Sequence, residues 1–482
     1  MTGHARKTVL PRYVVSESAE DGDGSAEQID LPEGGYYFVR PKAACDGGPG
    51  QIGKPKWVRS AFDSYPLVLR GSGVPWDEAN LFIFAAVEGR PHPKMTTFLS
   101  QAEDLAAYCR FLEEADVDWR HFPSHKFLRP TYRFRSHLVH EVWDGTLAPT
   151  TAKRRIRLIV RFYRWLVDEG LIKPEYAPWK DGEVLIQAHG AYGQTRVLAV
   201  KTTDLGINVT QQEDEYSEYI RDGGELRPLT QLEQEWLLVT LQKLGNTEMT
   251  LIHLLALLSG ARMQTVLTFR VRDAFRLCAD GTESVCVVGP GTGVDTKNSK
   301  KQTLRIPIWF HEQLRIYAHS DRAKIRRKRA GDDSPGQYLF LTVRGAPMYA
   351  SSQEEGSNSG LHRKYIPRGQ AVRQYIAEYI IPEIRKTFDA SFSYRFHDLR
   401  ATFGMNMVDE MVPLMDRREI AYSHVLDFVR VRMCHESLAT TERYLKYRGN
   451  LKIKQKIQDD WEVRLRGLVE MAMDVGGGDG KI

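Results

Sequence analysis

Six residues in the C-terminal half of the chain have the types that chemistry on a phosphate ester needs. They are Arg262, Lys297, His397, Arg400, His435 and Tyr444. Guanidinium groups fit pairs of phosphate oxygens and remain charged at any working pH. A tyrosine oxygen can attack phosphorus when nearby cations or a base help to remove its proton, since the unperturbed pKa of tyrosine is about 10. The set predicts phosphodiester transfer through a covalent protein–DNA link, without a metal.

These residues lie in distinctive local contexts. Arg262 ends the stretch Leu-Ser-Gly-Ala-Arg, His397 and Arg400 bound the stretch His-Asp-Leu-Arg, and His435 precedes Tyr444 by nine positions. A His-x-x-Arg pair alone is weak evidence, because roughly one is expected by chance in a chain of this composition. The order, the spacing and the context together are far more specific than any one motif.

Through these stretches the chain resembles the tyrosine recombinase (phage integrase) family, over about residues 95–470. The resemblance implies a multidomain fold, mainly α with a small antiparallel β-sheet, in which a helical core DNA-binding domain precedes an α+β catalytic domain. Two positions depart from the family pattern. Thr265 stands where an acid usually follows the first arginine, which is expected to loosen the support of Arg262, and Cys434 replaces a glycine.

The resemblance also implies a role for each reactive residue. Tyr444 is expected to be the nucleophile, giving a 3′-phosphotyrosyl link and a free 5′-hydroxyl. His397 is expected to be the base or the group that orients the tyrosine. Arg262, Arg400 and His435 are expected to donate hydrogen bonds to the phosphate oxygens, on which charge builds up in the transition state.

A lysine completes the predicted set. Lys297 falls in the turn of a predicted hairpin formed by residues 283–288 and 302–308, and it is expected to protonate the leaving oxygen. The turn is longer than the family usually has, so Lys300 and Lys301 remain alternatives. The link conserves bond energy and no acidic cluster indicates a metal, so no cofactor is expected.

The function that the resemblance implies is site-specific DNA recombination, as the integrase of a mobile genetic element. The expected partners are double-stranded DNA, three further copies of the chain in a tetramer, and accessory DNA-bending proteins. A type IB topoisomerase or a telomere resolvase is an alternative, because the nucleophile is shared. A catalytically silent DNA-binding regulator is another.

The apolar stripe of the last helix is expected to dock either on its own domain or on a neighbouring protomer.

Basic residues on one predicted helix indicate a DNA-binding face. They are Arg154, Arg157, Arg161 and Arg164, at steps of three, four and three. Apolar residues take another face of the same helix, so one face is built for a core and one for anions. Almost no acids accompany the arginines, which favours phosphate contact over a merely solvated face.

The densest positive run lies at residues 322–329 and includes Arg326 and Arg327. It is interpreted either as a contact with phosphates that flank the cleavage site or as a mobile, solvated loop.

The length of 482 residues predicts two or more domains. The predicted divisions are an N-terminal extension of unknown role (1–94), a helical core DNA-binding domain (95–180), an interdomain linker (181–228), a catalytic domain (229–473) and a flexible tail (474–482).

Composition adds only broad constraints. The apolar share of 42% and the charged share of 27% are ordinary for a globular protein, and a net charge of +5 does not identify a partner. Five cysteines form no Cys-x-x-Cys pair, which suits a reducing compartment. No signal peptide or membrane span is predicted. A bacterial, cytoplasmic, DNA-associated protein is expected.

Overall fold

A computed structural model describes residues 3–19, 24, 26–30, 35–41, 61–88, 90, 93–189, 195–207, 219–351 and 366–476. The chain divides into two compact units. The first comprises residues 1–211 and 352–366, and the second comprises residues 212–351 and 367–482. The described elements are mainly helices with small antiparallel sheets, which confirms the predicted fold class.

The strands of the described residues are β1 (Arg6–Val14), β2 (Ser16–Ala19), β3 (Glu27–Asp30), β4 (Tyr36–Pro41), β5 (Ala61–Leu69), β6 (Asp181–His189), β7 (Thr195–Thr203), β8 (Ile220–Arg221), β9 (Glu225–Leu226), β10 (Ala279–Asp280), β11 (Glu283–Val288) and β12 (Gln302–Pro307). They pair as the antiparallel sheets β1-β5, β2-β4-β3, β6-β7, β8-β9 and β10-β11-β12.

The helices of the same residues are α1 (Asp77–Val87), α2 (Met95–Glu114), α3 (Pro130–Trp143), α4 (Pro149–Asp168), α5 (Gln231–Leu244), α6 (Thr247–Ser259), α7 (Met263–Leu267), α8 (Val271–Phe275), α9 (Ile308–His319), α10 (Asp321–Ala330), α11 (Gln370–Tyr375), α12 (Ile381–Thr387), α13 (Asp398–Asp416), α14 (Tyr422–Met433) and α15 (Leu438–Gly476). A π-helical turn, Ile376–Ile380, joins α11 to α12.

The first unit has one core, formed by α1 to α4 together with the β1-β5 pair. Tyr65 of β5 and Trp76 before α1 are buried in the same cluster as Tyr108 of α2 and Tyr163 of α4. The hydroxyls of Tyr108 and Tyr163 share a hydrogen bond of 2.6 Å inside that core. The predicted boundary at residue 94 therefore does not separate two domains, because apolar side chains from both sides of it fill one interior.

The predicted linker, residues 181–228, contains regular structure at both ends. Strands β6 and β7 pair from Asp181↔Thr203 to His189↔Thr195 in the first unit. Ile220 of β8 and Leu226 of β9 are buried in a core of the second unit. The prediction of a linker is therefore wrong for residues 219–228, which belong to the second unit, while residues 208–218 lie outside the described residues.

The second unit places α13 against α6 on one side and against α14 and α15 on the other. The hairpin predicted from the sequence is confirmed as β11 and β12, whose register includes Val285↔Arg305 and Val288↔Gln302. Helix α15 continues to Gly476, past the predicted end of the domain at residue 473, and the remainder of the predicted tail is not described. None of the described helices has the length and apolarity that crossing a bilayer requires.

Candidate functional site

The carboxylate of Asp222 lies at the centre of four predicted catalytic side chains. Arg400 donates to it through Nε at 2.7 Å and Arg262 through Nη2 at 3.3 Å. The Nε2 atom of His435 lies 3.1 Å from the carboxylate, and the hydroxyl of Tyr444 donates to it at 3.2 Å. We call these four donors the anion pocket, because all of them aim hydrogen atoms at one negative group.

Asp222 sits in the turn between β8 and β9. We call the two strands and their turn, residues 220–226, the Asp222 hairpin. Burial alone would raise the pKa of Asp222, but the hydrogen bond from His435 and the charge of Arg400 outweigh burial and hold that pKa well below its usual range. Asp222 is therefore ionised at neutral pH. None of the sequence motifs pointed to this residue. The sequence signal available was Asp-Gly-Gly between two apolar positions, which is typical of a tight turn.

Arg400, in the first turn of α13, joins three elements. Besides Asp222, it donates from Nη1 to the carbonyl of Gly260 at 2.7 Å and from Nη2 to the carbonyl of Met433 at 2.6 Å. These carbonyls lie at the C-terminal ends of α6 and α14. Gly260 adopts φ +65°, a conformation that favours glycine, and a Cβ there would lie 2.5 Å from Phe403. Both the backbone conformation and the lack of space therefore require glycine at this position of the first arginine motif.

Arg262 begins α7 and is held by Asp222. Burial, followed by the charge of Arg400, lowers the pKa of Arg262. Thr265, expected to loosen the support of this arginine, has a different role, since its hydroxyl donates to the carbonyl of Asp295 at 2.8 Å. Asp222 supplies the carboxylate that Thr265 lacks, from a different part of the chain.

The two histidines are neutral in this arrangement. Burial, with the charges of Arg400 and Arg262, lowers the pKa of His397 to about 4. Burial also lowers the pKa of His435. Because a carboxylate only accepts, His435 donates from Nε2 to Asp222, and its Nδ1 accepts from the hydroxyl of Thr441 at 3.0 Å. His397 begins α13 and makes a hydrogen bond with the backbone of Asp222.

Of the three candidate lysines, Lys297 lies nearest the anion pocket. It lines one cleft with Asp222, Arg262 and His435, and a Cβ added at Gly223 would lie 2.7 Å from its Nζ. Lys300 pairs instead with Glu436 at 2.8 Å, and it lines a neighbouring cleft together with Lys301. The position of its side chain favours Lys297 as the lysine that reaches the site.

Tyr444 is completely buried, with 0% of its surface exposed. It lies in the second turn of α15, against Gly404 of α13, where a Cβ would come within 2.6 Å of the tyrosine ring. Burial, followed by the charge of Asp222, raises the pKa of Tyr444. The phenol is therefore protonated and shielded in this structure, although it lies among the predicted partners.

The predicted DNA-binding face of α4 is only partly free. Arg154 pairs with the buried Asp104 at 2.9 Å, and Arg164 pairs with Asp181 at 2.9 Å. Arg157 and Arg161 are exposed, and neither has an acidic partner among the residues that the structure describes.

The prediction of DNA contact by Arg326 and Arg327 is contradicted by their burial. Residues 321–330 form helix α10 rather than a mobile loop, and both side chains point into the protein. Arg326 pairs with the buried Glu248 at 2.8 Å and donates to the carbonyl of Leu341 at 2.6 Å. Arg327 pairs with Asp333. In a helix, consecutive basic residues point in different directions, and the side chain of Arg326 points inward to a buried acid.

No family model matches the chain, and no curated protein is similar to it in sequence. Several solved structures are similar. The XerH site-specific recombinase, bound to palindromic difH substrate in a post-cleavage complex, is 12% identical with a TM-score of 0.43, over 80% of this chain and 85% of that chain. The Tn1549 transposon integrase in complex with a circular intermediate DNA is 14% identical with a TM-score of 0.43, over 74% and 90%. A lambda integrase dimer bound to a COC′ core site is 13% identical with a TM-score of 0.40, over 77% and 95%. Likeness at this level does not transfer roles to individual residues.

Replacing Arg326 with alanine should lower the free energy of unfolding by about 2–3 kcal/mol, because it removes a buried partner of Glu248, which Arg322 still pairs with, and leaves the carbonyl of Leu341 without this donor. Lys324→Ala, on the exposed face of the same helix, should change it by less than about 0.5 kcal/mol. Urea denaturation followed by circular dichroism measures both. Equal effects in the two variants would show that Arg326 is not a structural residue.

Cys434 ends α14 with φ +51°, a left-handed conformation that glycine adopts without penalty. Cys434→Gly should therefore raise the free energy of unfolding by about 0.5–1 kcal/mol, after allowing for the greater freedom of glycine in the unfolded chain. Cys434→Ala removes the thiol but keeps the conformation, so it should bring no such gain. Thermal denaturation of the three proteins compares them, and a gain shared by alanine would assign the effect to the thiol.

Proposed function

We propose that this chain is a DNA strand-transfer enzyme of the tyrosine recombinase family, and specifically a site-specific recombinase. One observation carries the proposal: Arg262, Arg400, His435 and Tyr444, which come from three separate stretches of the sequence, all donate to a single anionic group. Two guanidinium groups, an imidazole and a phenol around one anion form a site that fits a phosphodiester and a nucleophile to attack it.

The proposed reaction begins when a DNA phosphate takes the place of the Asp222 carboxylate. The oxygen of Tyr444 forms a bond to phosphorus as the bond from phosphorus to the 5′-oxygen breaks. The tyrosine proton leaves for a base, and the 5′-oxygen gains a proton, so a 3′-phosphotyrosyl link and a 5′-hydroxyl result. Attack by a 5′-hydroxyl of another strand reverses these steps and restores the tyrosine. Arg262 and Arg400 hold the non-bridging oxygens throughout.

Two further residues have the properties that proton transfer needs. The pKa of His397 is about 4, so its imidazole is neutral at physiological pH, and the negative charge of a bound phosphate would raise that pKa towards the range of an effective base. Lys297 lies in the turn between β11 and β12, beside the anion pocket, and is proposed to protonate the leaving 5′-oxygen. The assignment of His397 rests on its position and charge state, and that of Lys297 rests on its position.

The wider assembly is proposed from two exposed features. Arg157 and Arg161 offer exposed cations on α4 for DNA phosphates. The apolar stripe of α15 includes Ile457 and Trp461, which are 63% and 59% exposed, so the described part of the unit does not cover it. Docking of this stripe on a neighbouring protomer would suit a tetramer that joins two duplexes, as required for integration or excision of a mobile element.

Tyr444→Phe should abolish covalent attachment to DNA while leaving DNA binding unchanged, because only the attacking oxygen is removed. A pool of duplexes of random sequence, each carrying a nick that prevents religation, traps the adduct on a denaturing gel. Tyr422→Phe, at an exposed tyrosine of the same unit, should form adducts normally. Adducts that persist in Tyr444→Phe would refute the assignment of the nucleophile. If neither the wild-type protein nor Tyr422→Phe forms adducts, a silent DNA-binding regulator is favoured.

Changing both Arg157 and Arg161 to alanine should weaken DNA binding and reduce the slope of log affinity against log salt by about two, because each arginine neutralises one phosphate. Fluorescence anisotropy across a series of salt concentrations gives the slope. The matched control changes Lys173 and Lys180, two exposed lysines after α4, and should leave the slope nearly unaltered. Equal slopes for all three proteins would place the DNA on another surface.

A further inference from the structure

The Asp222 carboxylate reproduces the contacts that a bound phosphate would make. Its Oδ1 atom accepts from Arg262, while its Oδ2 atom accepts from Arg400, from His435 and from Tyr444. Two oxygens of one anion thus accept from the arginines and the histidine that would hold non-bridging phosphate oxygens, and one of them lies beside the hydroxyl that would attack phosphorus. The Asp222 side chain is 5% exposed, so these donors replace almost all of its hydration.

The anion pocket accommodates one anion at a time. A carboxylate and a phosphate held by the same donors would lie within a few ångströms of each other, in surroundings where charges are poorly screened. The Nε atom of Arg400 carries a single hydrogen, which already bonds to Asp222, so a phosphate can take this donor only if Asp222 gives it up. Nη1 and Nη2 each give one hydrogen to a carbonyl, that of Gly260 and that of Met433. Binding of a phosphate therefore requires Asp222 to leave.

The same hairpin shields the nucleophile. Ile220 and Leu226, on either side of Asp222, are buried in the cluster that contains Tyr444. From α15, Arg443 donates to the carbonyl of Arg221 at 2.9 Å and ties the hairpin to the helix that carries the tyrosine. The element that fills the pocket therefore also forms part of the cluster in which Tyr444 is buried.

We propose that Asp222 is an internal phosphate mimic that holds the enzyme in an inhibited state until a DNA phosphate displaces the Asp222 hairpin. The inference rests on the proposed function, since it names the group that occupies the same site before the substrate does. Gly223 and Gly224 form the turn, and Gly223 has φ +74°, so the backbone next to Asp222 has the conformational range that such a displacement needs. Release frees the arginines and uncovers the phenol in one movement.

Inorganic phosphate, titrated into the intact protein in a calorimeter, tests the proposal without DNA and without catalysis. Asp222→Asn should bind phosphate at least about tenfold more tightly than the wild-type protein, because the competing charge is gone while the donors remain. Arg443→Ala, which loosens the hairpin without touching a pocket donor, should change the affinity in the same direction by a smaller factor. Circular dichroism checks that each variant is folded, and Arg443→Ala decides the matter if Asp222→Asn is not.

Glu248→Gln is a matched control. Glu248 is also a buried carboxylate, held by Arg322 and Arg326 and by the hydroxyl of Tyr317 at 3.0 Å. If this variant gains phosphate affinity as Asp222→Asn does, the gain comes from uncovering any buried arginines, and the proposal fails. It also fails if the wild-type protein binds phosphate as tightly as Asp222→Asn, or if neither binds it.

The phosphate measurement separates this inference from the proposed function. Tighter phosphate binding by Asp222→Asn in a protein that never forms a DNA adduct would support the mimic and refute strand transfer. Adducts formed by a wild-type protein whose phosphate affinity does not respond to Asp222→Asn would support strand transfer and refute the mimic.

Discussion

The ion pairs of Asp222 with Arg262 and Arg400 hold the second unit together around its candidate site. Both arginines are largely removed from water, and a buried guanidinium without an anion is costly. Arg400, in α13, also donates hydrogen bonds to carbonyls at the C-terminal ends of α6 and α14, so three helices meet at this side chain. This part of the interior is built around a negative charge, which the Asp222 carboxylate provides and which, under the proposed function, a DNA phosphate would provide in its place.

This dependence explains why the backbone near the site is so closely specified. Gly260 and Gly404 leave room for Phe403 and for the ring of Tyr444, and neither position tolerates a Cβ without displacement of a neighbour. Cys434, directly before His435, differs from these glycines, because it has a side chain and yet adopts the left-handed conformation that favours glycine. The chain turns sharply at Gly260 and at Cys434, close to Arg262 and His435, and these turns help to bring both donors within hydrogen-bonding distance of Asp222.

Much of this arrangement was predictable from sequence and some of it was not. The local motifs around Arg262, Arg400 and Tyr444 identified the donors, and the two predicted strand segments on either side of the lysine turn identified the hairpin of β11 and β12. Asp222 was missed because a turn of Asp-Gly-Gly is common and its significance comes from residues about 40 to 222 positions away. Arg326 and Arg327 were misassigned because a sequence shows how many cations a helix carries but not which face meets a buried acid.

Asp295 links the lysine turn to the first arginine. Its carbonyl accepts from Thr265 and its amide donates to Thr268, and both threonines belong to the segment that follows Arg262. The connection that leads from β11 to Lys297 is thus fastened two residues before the lysine, whereas residues 297–301 are exposed. Under the proposed mechanism, changes in the length or composition of the turn would alter proton delivery by Lys297 without altering the spacing of the arginines, so the reaction rate could evolve separately from the affinity for the phosphate.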